Sequence, residues 1–234
     1  MVSAYLRRGM AAGLLAGLLA GLFAFLVGEP VLDRAITLGE TSADAYHEEV
    51  FSRPTQKVGL FFATGLFGVT VGGVFGIVYS FFRGRLAADS DFRRSISLAG
   101  AVFVGAFLIP FLKYPANPPS VGDPSTIRER TAAYFTLVAL SLLAILLAWL
   151  TAGTLKARGV NALRRRLTVG AGLVVVVAVL FLLLPAAPSA GAFPFGVLWA
   201  FRLSSVGTQV IFWAGLGLLF GTLCERARRK GVTA

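Results

Sequence analysis

Long apolar runs separated by short polar segments set the pattern of this chain. Six runs stand out, at about 9–27, 57–82, 95–112, 131–154, 167–184 and 197–223. A stretch of about 20 apolar residues crosses a bilayer core as a helix, so each run predicts a membrane span. The third, Ile96 to Phe111, and the fifth are the shortest. The predicted fold class is all-α: a polytopic helical bundle of about six transmembrane helices, or five if the third run is re-entrant. It forms a single integral membrane domain over 1–234. No polar segment between the runs is large enough to bury a core of its own. Segments at about 28–56, 113–130 and 185–196 read as loops on one face.

Small residues recur inside two runs. Gly13, Gly17 and Gly21 repeat every four residues, with Ala12, Ala16, Ala20 and Ala24 beside them; Gly68, Gly72 and Gly76 repeat in the second run. Such stripes let helix backbones approach closely in lipid. Arg7-Arg8 ahead of an apolar run also opens a secretory signal peptide, but the small-residue stripe favours a retained span. The fifth run has no polar residue after Thr168, which suits a lipid-facing helix.

Charge adds orientation. The chain has 22 Lys and Arg against 11 Asp and Glu, a net charge of +11. In a soluble protein this suggests nucleic acid. Here 56% of residues are hydrophobic and only 14% charged, so charge placement decides. With the N-terminus in the cytoplasm, 15 of the 22 basic residues fall on cytoplasmic segments, opposed by Asp89, Asp91 and Glu225 alone. The other face holds 7 basic and 8 acidic residues. This asymmetry predicts both termini inside a cytoplasmic membrane, with lipid headgroups as the partners of the basic excess and no nucleic acid.

The polar connections carry the candidate chemistry. Glu29 to Lys57 is the most acidic segment. Thr41 reads as a helix cap, after which Asp44, His47 and Glu48 share a face at i, i+3, i+4. Carboxylate plus imidazole suits a divalent first-row metal; a solvated amphipathic helix on the membrane surface has the same pattern. Glu29 and Asp33 are further acidic candidates. The segment from Phe111 to Pro124 holds Pro115, Pro118, Pro119 and Pro124. Proline fixes φ and lacks an N–H donor, so this loop is stiff, extended and rich in unpaired carbonyls. Pro110 is expected to kink or stop the third helix at the interface. Lys113 and Tyr114 are expected as interface anchors. Asn117 and Asp123 offer oxygen ligands for a cation, and Asp123-Pro124-Ser125 reads as a turn and cap.

In the sixth run Arg202, Ser205 and Gln209 lie at i, i+3, i+7 on one face. A buried amide needs a partner in hydrocarbon, so this face is expected to turn inward. Arg202 either snorkels to headgroups or neutralises Glu29, Asp33 or Asp123.

Several activities are excluded by what is missing. There is no phosphate-binding glycine loop, no Gly-x-Ser-x-Gly elbow and no His-Glu-x-x-His helix. One cysteine, Cys224, excludes an intrachain disulfide, and with one histidine the chain cannot build a Cys/His metal cage. No permanently bound cofactor is expected. A transporter, or a subunit of one, fits better than an enzyme.

Four sets of residues resemble the CbtA family, the predicted cobalt transporter subunit of prokaryotes. They are Gly28-Glu29-Pro30 with Asp33, Ala35 and Ile36; Ser52-Arg53 with Thr55-Gln56; Pro110-Phe-Leu-Lys-Tyr-Pro-Ala-Asn-Pro-Pro119 with Gly122-Asp123-Pro124; and Phe201-Arg202-Leu203 with Gly207-Thr208-Gln209. The proline-rich set is the most specific. The resemblance implies a multi-pass inner-membrane protein for cobalt(II) uptake, linked to cobalamin synthesis. It also implies a small CbtB partner with one span and a histidine-rich tail. The family is usually described with five spans, one fewer than the runs counted here. Two other readings stay open: a transporter of nickel or a cobalamin precursor, and a structural or assembly subunit with no path of its own. Oligomeric state is not legible.

Overall fold

A computed structural model describes residues 2–42, 51–86, 88–119, 121–187, 189–191 and 193–231. All regular structure among them is helical. The elements are α1 (Val2–Phe23), a π-turn (Ala24–Gly28), α2 (Glu29–Ser42), α3 (Arg53–Phe82) and α4 (Asp91–Phe103). A second π-turn (Val104–Leu108), α5 (Ile109–Lys113), a 3₁₀ turn (Pro124–Thr126), α6 (Ile127–Ala157), α7 (Ala162–Leu183) and α8 (Phe195–Arg229) follow. Among the described residues, six continuous helices are long and apolar enough to cross a membrane: Val2–Gly39, Arg53–Phe82, Asp91–Lys113, Ile127–Ala157, Ala162–Leu183 and Phe195–Arg229. The shortest has 22 residues, about 33 Å at 1.5 Å per residue, enough for the hydrocarbon core. The third has 23 residues, which makes it a full-length candidate span rather than a re-entrant element.

Two expectations need correcting. The segment 28–56 is not a loop throughout, because the first helix continues through Glu29 and Asp33 to Ser42. Thr41 therefore stands near a helix end rather than at a start. Nor does Pro110 stop the third span. The helix widens into the π-turn just before it and runs on to Lys113. Proline removes an N–H and crowds the carbonyl four residues back; a π-turn absorbs both without breaking the helix. The same device recurs in span one, where the π-turn Ala24–Gly28 stands directly before Glu29-Pro30.

The described residues form two compact units. Unit one comprises Met1–Gly100, Asn117–Ser120 and Phe193–Ala234; unit two comprises Ala101–Ala116 and Val121–Ala192. Unit one is built on the glycine stripes. A Cβ on Gly13 would fall on the carbonyl oxygen of Gly68, and one on Gly68 on that of Gly13. Gly9 and Gly72 are related in the same reciprocal way, and Gly17 meets the Thr64 carbonyl. The backbones of α1 and α3 are thus in direct contact, as small-residue stripes allow, and the zipper extends one turn further, to Gly9. The alanine stripe supports α8: Ala16 is fully buried, and its Cβ lies 3.3 Å from where a Cβ of Gly215 would stand.

In unit two, α6 packs beside the second π-turn, where a Cβ on Gly105 would lie 3.0 Å from Leu142. No residue of α7 is buried, in keeping with a lipid-facing fifth span. Asn161 caps this helix, its Oδ1 accepting from Leu163 N at 2.8 Å and Arg164 N at 3.1 Å.

Candidate functional site

Glu29 and Asp33 lie one turn apart on α2. Two cations near the start of α3 neutralise them. Arg53 donates through Nη2 to Glu29 Oε2 at 2.7 Å and to Asp33 Oδ1 at 2.6 Å, while Lys57 Nζ reaches Asp33 Oδ2 at 2.8 Å. Gln56 Oε1 accepts a further bond from Arg53 at 2.6 Å. Pro54, tolerated in a first helical turn, fixes where α3 begins and so where Arg53 projects. The Glu29 side chain is only 11% exposed. At that depth an unpaired carboxylate would be costly, so Arg53 is structurally required.

Arg202 does not pair with Glu29, Asp33 or Asp123. Its Nη2 donates to Asn117 Oδ1 at 2.9 Å, and its guanidinium lies 5.3 Å from the Trp199 ring centroid. This ties Asn117, in the proline-rich segment, to α8. Beside it Pro118 is buried and Pro119 exposed. Gln209 also finds its partner on α8, accepting from Trp213 Nε1 at 3.1 Å. Ser205 is half-buried; its neighbour Ser204 is the buried serine, bonded to the Phe201 carbonyl at 2.8 Å. Arg202, Ser205 and Gln209 are half-buried and share a helix face with the buried Leu198, Phe212 and Leu216, three or four residues apart along α8.

Lys113 and Tyr114, in unit two, grip the end of α7. Lys113 Nζ donates to the Phe181 carbonyl at 2.7 Å and Tyr114 Oη to the Pro185 carbonyl at 2.7 Å. The last carbonyls of a helix have no intrahelical partner, and a cation there also meets the negative end of the dipole. The expected anchors thus bind protein carbonyls. Pro115 follows directly, half-buried and outside any helix.

Asp123 forms the predicted turn. Its Oδ1 accepts from Ser125 N at 2.8 Å and Ser125 Oγ at 2.7 Å, and α6 begins at Ile127. These bonds hold the Asp123 carboxyl below the ordinary carboxylate range. Gly122, at φ 98°, leaves room for Arg130, whose Nη2 donates to the Asp123 carbonyl at 3.1 Å. Asp123, Tyr114, Thr126, Glu129, Arg130 and Ser189 line a partly open cavity of about 430 Å³ within unit two. Among the described residues, neither Asp123 nor Glu129 forms an ion pair.

Asp44, His47 and Glu48 lie outside the described residues. Among the described ones, no group of three or more His, Cys, Asp or Glu side chains is placed to hold a metal ion. Two features escaped the sequence reading. One is the pairing of Arg53 and Lys57 with Glu29 and Asp33, signalled by two i, i+4 pairs of opposite sign. The other is the buried bond from Tyr79 to Asp91 at 2.7 Å, for which an aspartate two residues from Asp89 in a basic loop gives no signal.

The family described as "CbtA: Probable cobalt transporter subunit (CbtA)" matches residues 2–225. The chain belongs to the CbtA family. No curated protein and no solved structure matches it. CbtA is a transporter family, not an enzyme family, with cobalt as the cargo its description implies. Together with six candidate spans this makes the chain a multi-pass membrane protein of a cobalt transport system.

Proposed function

We propose that this chain is the multi-span subunit of a cobalt importer in the cytoplasmic membrane of a prokaryotic cell, with both termini inside. It works with a small single-span, histidine-rich subunit of the CbtB kind. The family match over residues 2–225 carries this reading. The basic excess on the segments flanking the termini supports the orientation. Asp123 and Glu129, which line an open cavity, are the groups that attract a hydrated cation. Glu29 and Asp33 already have Arg53 and Lys57 as counter-cations and hold α2 to α3 instead. The partner's imidazoles supply the softer ligands that cobalt prefers.

The test is uptake of radioactive cobalt in cells lacking other cobalt importers, with this chain expressed alone and with its partner. Uptake requiring both chains, and reduced by Asp123→Asn with Glu129→Gln, is expected. No uptake, with both chains verified in the membrane, overturns the cobalt reading and favours nickel or a cobalamin precursor. A second reading, an assembly subunit, draws on unit one: Glu29, Asp33, Asn117 and Gln209 all have partners within the chain. Uptake untouched by every substitution at the cavity favours it.

A further inference from the structure

At one end of unit one, the beginning of α1, the end of α3, the first turns of α4 and the end of α8 meet. Tyr79 is fully buried there and Asp91 is 3% exposed. Tyr79 Oη donates to Asp91 Oδ1 at 2.7 Å, and Arg94 Nη1, on the same helix as Asp91, lies 3.5 Å from that oxygen. Rings close the layer: Tyr5 stands 5.6 Å and Phe220 4.9 Å from Tyr79 between centroids. Arg83 and Arg8 lie over Tyr5. Ser95 donates to the Gly217 carbonyl at 2.8 Å, and Gly217 and Gly221 bring α8 against Ala99 and Phe92 of α4.

We propose that this layer is a closed gate at the end of unit one nearest the termini, latched by the Tyr79–Asp91 hydrogen bond between α3 and α4. A buried carboxylate needs a partner. Among the described residues Tyr79 is the partner reaching Asp91 from another helix. Withdrawing α4 breaks that bond, but water then solvates both groups, so the open state is a second discrete state and not a costly intermediate. The glycine contact between α1 and α3 has no such alternative, since there backbone packs directly on backbone. The gate assignment rests on the transport reading; the latch does not, and its test needs no cobalt.

Cys224, the single cysteine of the chain, is 2% exposed at the same end and reports opening. The full chain, in detergent, is labelled with N-ethylmaleimide at fixed pH. Slow labelling is expected for the natural protein, because the thiol reacts only when the layer opens. Tyr79→Phe keeps the ring and removes the bond. A hydrogen bond to a charged group contributes enough to raise the labelling rate about tenfold or more when lost. Asp91→Asn keeps an acceptor for Tyr79 and is expected to fall between the two. Arg93→Ala, at an exposed position, is expected to leave the rate unchanged. The rate is expected to be flat with added SDS below the unfolding transition, as for a local opening. Three results overturn the proposal: Tyr79→Phe labelling at the natural rate, natural protein labelling as fast as the unfolded chain, or a rate that tracks global unfolding.

Discussion

Gly13→Ala tests whether direct backbone contact between α1 and α3 holds unit one together. A methyl carbon needs about 3.5 Å from a heavy neighbour. The added Cβ would instead fall on the Gly68 carbonyl oxygen and crowd the Gly72 Cα at 2.8 Å. Both are helix backbone and cannot rotate aside, so the helices must separate by about 1 Å or more. Overpacking costs about 1–3 kcal/mol where side chains share the strain. With backbone as the obstacle we expect the upper figure, ~3 kcal/mol, roughly a hundredfold in the folded-to-unfolded ratio. Gly65→Ala is the internal control. It lies on the same helix pair, but its Cβ would meet only Leu14 and Leu18 side chains at 3.5 Å, an ordinary contact. Gly59→Ala meets nothing within 4 Å. Both controls should be neutral or stabilising by up to about 1 kcal/mol, since alanine loses less backbone entropy than glycine on entering a helix. The assay is reversible unfolding in mixed micelles of increasing SDS fraction, followed by far-UV circular dichroism. The double variant Gly13→Ala with Gly68→Ala should cost less than the sum of the singles, since one helix displacement relieves both clashes. Gly13→Ala as mild as Gly59→Ala would refute the reasoning.

Three further outcomes are expected. Arg53→Ala should lower stability in the same assay by about 2 kcal/mol, less than a fully buried pair because Asp33 is 42% exposed, and Arg53→Lys should restore part of it. Lys113→Met keeps the apolar stem but leaves the Phe181 carbonyl without its cation; a loss of about 1–2 kcal/mol and earlier exchange of the terminal α7 amides are expected by hydrogen exchange. Ser125 bonds hold the Asp123 carboxyl below its ordinary range, so the carboxylate persists as pH falls and is lost only through that lowered value. Ser125→Ala should therefore move the acid limb of cobalt uptake to higher pH, with the plateau near neutrality unchanged.

The spans are legible because length and apolar continuity decide them. The glycine stripes announce close backbone packing, but that they join α1 to α3 is seen only in the structure. What stayed hidden was where helices end. The sequence places Glu29 in a loop and has Pro110 kink or stop its helix, since proline forbids the ordinary helical bond. In both cases a π-turn precedes the proline and carries the helix past it. Placing Glu29 in a loop made it a free ligand; placing it on α2 brings it to Arg53. The side-chain partners were equally hidden. Arg202 is expected from the sequence to snorkel to headgroups or to neutralise an acid, yet its partner is Asn117. The turn at Asp123-Pro124-Ser125 is legible because its chemistry is confined to three consecutive residues.

Partner assignment bears directly on metal selectivity. In unit one the carboxylates of Glu29 and Asp33 have counter-cations and the amide oxygens of Asn117 and Gln209 have donors. A cation passing there would have to displace each of them. In unit two Asp123 and Glu129 line a partly open cavity with Arg130 beside them, so on the importer reading it offers a hydrated cation oxygen ligands alone. Oxygen ligands scarcely separate cobalt from its first-row neighbours; imidazole and thiolate do so better. The one thiol, Cys224, is buried, and the chain has one imidazole, His47. One imidazole cannot complete a coordination sphere. On the importer reading, discrimination for cobalt therefore depends on ligands from a second chain, and this subunit contributes the attraction of the hydrated ion and the path across the membrane.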